Sequence, residues 1–283
     1  MSRSLSPQQI ARAIGVSESS IKRWCDQGLI QSMKTAGGHR RIKLSDAIEF
    51  VRSRGHNIPP ELLALPPLRQ SGPRAIHRAL DEFVRLLSEG HEQECRELIT
   101  AAYLAEHDFI PVCDDLIAVA MRTIGELWET HELDVYQERR ACGICLRGLD
   151  DCQSLLPARS QTAPVAVGGS PEHDPYQLPT RMVELALRQS GWNATSLGSG
   201  LPLTTLSNAA KRHRAQLVWL SVSSPVDPET FAPAFAKFKQ SLPRKCRLIA
   251  GGRGLTAELR ERLPLDAHPV NVRQMTELVT IPN

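Results

Sequence analysis

Aromatic residues make up only 5% of this 283-residue chain, and long apolar runs are missing. Leu116–Met121 is typical of the short runs present. A membrane span needs roughly 18–20 such residues, so none is expected. The opening residues MSRSLSPQQI are polar and hold no apolar segment of an export signal, which points to a soluble protein that is not exported. Cysteine is odd in number, seven in all, so no disulfide framework is expected and a reducing cytoplasm is the natural setting. Cys142 and Cys145 have C-x-x-C spacing, but no second pair for zinc and no preceding thioredoxin-like strand accompany them. Buried structural thiols are expected there. Neither a Walker A sequence nor a G-x-G-x-x-G opening a helix occurs, which leaves nucleotide binding with little support. No Ser/His/Asp set, paired acid/base carboxylates or metal cluster stands out, and no enzyme is expected. With 41% hydrophobic and 23% charged residues the composition is ordinary for a globular chain, long enough for two or three domains.

Charge is unevenly placed. Residues 1–58 hold ten Lys/Arg against four Asp/Glu, a net of +6, so the other 225 residues sum to −3. A basic block is either a site for a polyanion or merely a solvated surface, and the pattern beneath it decides. Ser6-Pro7 is an N-cap followed by proline at the first helical position, and Ile10, Ala13 and Ile14 give a short apolar face. Gly15-Val16 makes a turn. Ser17 caps a second helix, Glu18 to Gln27, ended by Gly28. There Ile21 and Trp24 point inward while Ser19, Ser20, Lys22 and Arg23 face out. Leu29–Lys34 reads as a strand, Gly37-Gly38 as a hairpin tip followed by His39-Arg40-Arg41, and Ile42-Lys43-Leu44 as the return strand. Ser45-Asp46 then caps a third helix through Arg54. This is a helix-turn-helix with a charged wing.

In the words IARAIGVSESSIKRW, GLI and TAGGHRRI, this segment resembles the winged-helix reader of MerR-type regulators. The resemblance implies that Ser19, Ser20, Lys22 and Arg23 enter the major groove of double-stranded operator DNA. It also implies that His39, Arg40 and Arg41 meet phosphate or the adjacent minor groove. Phosphate contacts supply most of such affinity and make it salt-dependent. One such domain buries little surface, so a homo-oligomer, dimer or tetramer, on a repeated or palindromic site is expected.

Four segments follow: a MerR-type DNA-binding domain at 1–55, a Pro-rich linker at 56–73, a four-helix bundle at 74–157, and an α/β domain at 163–283. The linker contains Pro59, Pro60, Pro66, Pro67 and Pro73 and reads as extended. From Ala75 the apolar period becomes 3.6. Helices are expected through Ile76–Leu87, around Cys95–Ile99, from Phe109 to Leu127, and from Tyr136 to Leu155. The stretch from Ile124 through Trp128 to Arg140 resembles the helical cap over the corrinoid in cobalamin-binding modules, including those of light-responsive, cobalamin-dependent carotenoid-gene repressors. In that family a Trp is followed ten or eleven residues later by Glu-His. Trp128 and Glu138 match, Arg139 takes the His position, and Glu129 stands where a coordinating His can occur. His131 is either a substitute or a solvated loop histidine, and Trp128 either a lid or a core residue.

Beyond Thr162 strands and helices alternate. Strands are expected at Pro164–Val167, Asn193–Leu197, Leu217–Val222, Leu248–Ala250 and Pro269–Val272, with helices between them and Gln274–Val279 at the end. That pattern means a flavodoxin-like, doubly wound parallel sheet of about five strands, with ligands at the carboxyl ends. Those ends are rich in Gly and Ser, at Gly168-Gly169-Ser170, Gly198-Ser199-Gly200, Ser221–Ser224 and Gly251–Gly254. They either admit a large ligand or simply make turns. The family resemblance places a D-x-H-x-x-G loop after the first strand, whose His ligates cobalt from below. The matching residues are Asp174-Pro175-Tyr176-Gln177-Leu178-Pro179. Asp is kept, Tyr176 replaces His, and Pro179 replaces Gly. Ser221 and Gly251-Gly252 match, while Ser223 stands where Leu is common. A phenol is a poor cobalt ligand below about pH 10, and His173 serves only if the loop is rearranged.

The expectation is a cytoplasmic DNA-binding transcriptional regulator, a repressor, whose sensor keeps the cobalamin-binding fold but has lost imidazole-held cobalamin. No cofactor is then expected, no metal site, and no membrane partner. The module would serve oligomerisation or bind a small-molecule or protein effector. One alternative keeps adenosylcobalamin, in a light or corrinoid sensor using His131, His173 or base-on binding. Another is a corrinoid methyl-transfer subunit, which predicts a lower-ligand His and no DNA reader.

Overall fold

The computed structural model describes residues 4–35, 37–54, 75–106, 108–153, 155–156 and 162–279. The expected linker, 56–73, lies outside them. Two compact units emerge, Met1–Pro157 and Ala158–Asn283. No helix among the described residues is long and apolar enough to cross a membrane.

The described residues between 4 and 54 build a small helical domain with a three-stranded antiparallel sheet. Ser6 and Gln9 form a capping box that starts α1 (Pro7–Ala13), Ser6 Oγ accepting the Gln9 N–H and Gln9 Oε1 the Ser6 N–H. Gly15, at φ +70°, turns the chain. Ser17 then caps α2 (Glu18–Asp26). β2 (Met33–Lys34) and β3 (Arg40–Lys43) form the wing, and α3 (Leu44–Ser53) follows. A two-residue strand, β1 (Ser4–Leu5), pairs on the other side of β3, with Leu5 opposite Ile42. Ile10, Ile21, Ile30, Ile42 and Ile48 are fully buried between these elements. The strand expected from Leu29 pairs only at Met33–Lys34. Gly28, at φ +73°, sends the Leu29 N–H back to Trp24 O, and residues 29–30 are used in that turn.

Four helical segments form the bundle: α4 (Ala75–Glu89), α5 (Glu92–Glu106), a third broken into pieces, and α8 (Val135–Gln153). The third was expected to run unbroken. It consists of α6 (Phe109–Pro111), a π-helical stretch Val112–Ile117 and α7 (Ala118–Glu129). Pro111 supplies no N–H at its start, and the stretch inserts one residue while Val112, Cys113, Leu116 and Ile117 all stay buried. Periodicity is therefore blind to the break. α5 meets α8 closely at Gly148, where a Cβ would stand 2.6 Å from Ile99 Cδ1. Two forked ion pairs flank that contact, Arg96 to Asp151 at 2.8 and 2.9 Å and Arg147 to Glu92 at 2.6 and 2.9 Å.

The second unit is a parallel sheet in the order β5-β4-β6-β7: β4 (Val165–Gly169), β5 (Asn193–Ser196), β6 (Leu217–Ser221), β7 (Arg247–Gly251). Its helices are α9 (Leu178–Gln189), α10 (Leu203–Arg212), α11 (Pro228–Ser241), α12 (Ala257–Arg262) and α13 (Val272–Leu278). β6 reads LVWLS and is buried on both faces, as an inner parallel strand must be. Leu217 and Trp219 pack with Leu187 of α9 and Met275 of α13, whereas Val218 and Leu220 pack with Leu206, Phe235 and Leu259 of α10, α11 and α12. The fold is doubly wound. The expected fifth strand at Pro269–Val272 is corrected: that segment makes no ladder, and the nearby Ala267 makes a single isolated bridge to Ile249. Pro269 has no N–H to extend a ladder, and Asn271 already caps α13.

Trp219 is 1% exposed, and its indole lies where a side chain on Gly168 would be, with a Cβ there 2.0 Å from a ring carbon. Gly168→Ala is expected to destabilise the second unit by about 3 kcal/mol, since neither ring nor strand has room to shift. A denaturant midpoint equal to that of the parent protein would contradict this packing.

Candidate nucleic-acid interface and ligand module

Ser17 organises the amino end of α2. Its Oγ takes the Ser20 N–H at 3.1 Å and lies 2.8 and 2.9 Å from the hydroxyls of Ser19 and Ser20. Ser19, Lys22 and Arg23 are exposed and Ser20 is half-buried. Lys22 reaches back to Glu18 at 2.8 Å across one helical turn, a pair open enough to water to exchange for phosphate. In the wing, Thr35 N–H donates to His39 O, and Gly38 takes φ +74° at the tip. His39 and Arg41 are exposed, as are Lys34 and Lys43 of the same hairpin, which were not singled out from sequence. A groove of about 450 Å3 runs between α2 and the wing, with Lys22, Lys34, His39 and Arg41 on its walls.

Arg40 behaves differently from its neighbours. Its guanidinium donates to Lys22 O at 2.7 Å and to Asp26 Oδ1 at 2.5 Å, and Asp26 raises its pKa further. Arg40 therefore joins the wing to the reader helix. Arg54 is also engaged internally, 5.7 and 5.3 Å from the ring centroids of Trp24 and Phe50.

In the bundle, Trp128 is 43% exposed at the last turn of α7. His131 follows in a left-handed turn at φ +62°, its N–H bonded to Trp128 O, and its side chain is exposed. Glu138 is buried on α8, where it accepts from Cys142 Sγ and pairs with the exposed Arg139 at 3.4 Å. Burial and the Glu138 charge push the Cys142 thiol up to about 12, and burial drives Cys145 well above its ordinary value. Cys95 and Cys152 are likewise pushed to about 12, and Cys113 well upward, chiefly by burial. Thiolate chemistry is thereby suppressed. No group of three His, Cys, Asp or Glu among the described residues could hold a metal ion.

At the carboxyl edge of the sheet, Asp174 is the organising residue. It is 1% exposed; one oxygen accepts the Ser223 N–H at 2.5 Å and the Ser224 N–H at 3.2 Å, the other the Tyr176 N–H at 3.1 Å. The loop after β4 is thus tied to the loop after β6. Ser170 adds a bond to Tyr176 O, and Ser221 is buried beside the Val222 N–H to Gly251 O bond. His173 is exposed on the turn before Asp174, at φ +65°. Pro179 lies in the first turn of α9. Several glycines here face atoms of the chain itself, whereas Gly200 opens onto free space. A Cβ on Gly251 would stand 2.7 Å from Pro269 O, and one on Gly252, at φ +116°, 2.2 Å from Val222 O.

The family described as a helix-turn-helix domain matches residues 4–55, and that described as a B12 binding domain matches residues 79–152. With the parallel sheet behind them, these describe a chain that joins a helix-turn-helix domain to a module of cobalamin-binding type. The chain is similar along 97% of its length, at 25% identity, to the HTH-type transcriptional repressor CarA of Myxococcus xanthus, 94% of which is covered. It is also 28% identical over 140 residues to the repressor CarH of the same organism, spanning 49% of this chain and 46% of CarH. Among solved structures, the Methanosarcina barkeri monomethylamine corrinoid protein superposes with a TM-score of 0.60 at 16% identity, over 72% of this chain and 98% of that one. That likeness is one of fold.

Two outcomes are expected. Arg40→Ala weakens binding to duplex DNA without altering the salt slope, because it removes a positioning residue; Arg41→Ala flattens the slope by about 0.9, one phosphate contact. A flattened slope for Arg40→Ala would make it a phosphate ligand instead. Alkylation at about pH 8 is expected to spare Cys95, Cys113, Cys142, Cys145 and Cys152 until the protein unfolds, as read by peptide mass.

Proposed function

We propose that this chain is a non-enzymatic transcriptional repressor that binds operator DNA as a homo-oligomer and does not hold cobalamin through an imidazole. The observation that carries the DNA half is the exposed row Ser19, Lys22 and Arg23 on α2, beside the exposed His39 and Arg41 of the wing. A short helix with small polar and basic side chains suits the major groove, and a Gly-tipped cationic hairpin suits the phosphate chain alongside. Selection from a random-sequence duplex pool is expected to enrich paired half-sites, as an oligomer of such readers requires. Failure to enrich any sequence would overturn this half.

Cobalamin fits the residues of the sheet edge poorly. Tyr176 stands where the family has its ligating imidazole, Asp174 holds that loop onto Ser223 and Ser224, and the indole of Trp219 occupies the space over Gly168. The module is then read as a platform for assembly or for a different effector. Full-length protein mixed with adenosylcobalamin in the dark and passed through gel filtration is expected to emerge without a stoichiometric corrin band. Stoichiometric retention would favour the sensor reading instead, with His131 or His173 as first candidates for replacement by alanine.

A further inference from the structure

The reader domain does not hold all of the unbalanced positive charge. Residues 158–283 carry fifteen Lys/Arg against nine Asp/Glu, a net of +6, while residues 59–157 carry nine against eighteen. Part of that excess gathers at one edge of the sheet. Lys211, Arg212 and Arg214 lie at the end of α10 and in the turn before β6, and Arg244 and Lys245 in the turn before β7. β6 and β7 are parallel neighbours, and the Arg247 N–H donates to Gln216 O at 2.9 Å, so the two turns lie side by side. This is the amino edge of the strands, opposite the Asp174 cluster.

The two turns enclose a groove of about 390 Å3, with the buried Ala215 and Cys246 on its floor and Lys211, Arg214 and Lys245 at its rim. All five cations are exposed, and among the described residues none has an ion-pair partner. Asp266, whose charge acts on the Cys246 thiol, is neutralised by Lys239. A helix C-terminus attracts cations, which accounts for Lys211 and Arg212. It acts only weakly on Arg244 and Lys245, two and three residues past the Leu242 C-cap of α11. Arg214, one residue past the His213 C-cap of α10, sits at φ +52°, where glycine would be free of strain.

We propose that this edge binds the phosphate backbone of duplex DNA, a second, sequence-independent contact in addition to the reader. The inference rests on the DNA-binding reading above. Several solvated cations along one edge, without a convergent polar pocket, suit the phosphates of a duplex better than one small anion.

The test measures binding of full-length protein to a mixed-sequence duplex across a salt series. Lys211→Ala/Arg214→Ala/Lys245→Ala is expected to flatten the log–log slope by about 2–3, whereas Arg41→Ala flattens it by about 0.9. A slope that falls for Arg41→Ala but not for the triple variant would overturn the groove contact and leave the reader standing. Absence of binding by the parent protein would overturn both. An unchanged slope with altered sedimentation would assign the groove to contact between copies and overturn the DNA contact. Should the triple variant fail to fold, Lys211→Gln/Arg214→Gly/Lys245→Gln removes the same charge while relieving the backbone at 214, and the same outcomes apply.

Discussion

A backbone bare of side chain at residue 168 lets the Trp219 indole lie against β4, and much of what the second unit can do follows from that contact. The indole is too large for a strand interior unless a neighbouring strand gives way, and Gly168 is where it gives way. Its Nε1 donates to Thr180 Oγ1 at 2.9 Å, which in turn lies 3.1 Å from Ser196 Oγ. Ring, helix α9 and strand β5 are thereby joined through one buried polar chain, with each hydroxyl satisfied. Such a network resists opening, because an inserted ligand would have to displace both packed area and hydrogen bonds. The Asp174 cluster does the same for the loops above it, using a carboxylate where backbone amides of Ser223 and Ser224 need an acceptor.

Positive charge in this chain performs two kinds of work. Arg40 and Arg54 in the reader, and Arg96 and Arg147 in the bundle, are structural: each is held by a carboxylate, a carbonyl or an aromatic face. Lys34, Arg41, Lys43 and the cluster before β6 and β7 remain solvated. Only solvated cations release counterions when DNA replaces water, so a count of Lys and Arg overstates the contacts a surface can make. The engaged cations instead set the geometry in which the others are presented. Arg40 is the clearest case, since it spaces the wing from α2 through a main-chain carbonyl of the reader helix itself.

Most of the architecture was legible in the order of residues because it is written in periodicity and caps. Ser6 and Ser17 mark helix starts, and the apolar run of β6 marks an inner strand. Features that escaped are those without a periodic signature. β1 is two residues long, the π-helical stretch keeps the same apolar faces as an α-helix, and Pro269 cancels a strand that hydrophobicity alone suggests. That the space over Gly168, Gly251 and Gly252 is filled by Trp219, Pro269 O and Val222 O could not be read there, because those atoms come from strands and turns 18–51 residues away in sequence.

What the residues alone determined, then, is local: which segments are helix or strand and where charge is concentrated. Tertiary structure decided which cations are left for a partner, whether glycines make room for a ligand or for the chain itself, and that two basic turns far apart in sequence share one edge. The physical reason is that helix and strand formation depends on neighbours within a few residues, whereas desolvation, ion pairing and packing depend on whichever groups folding brings within contact distance.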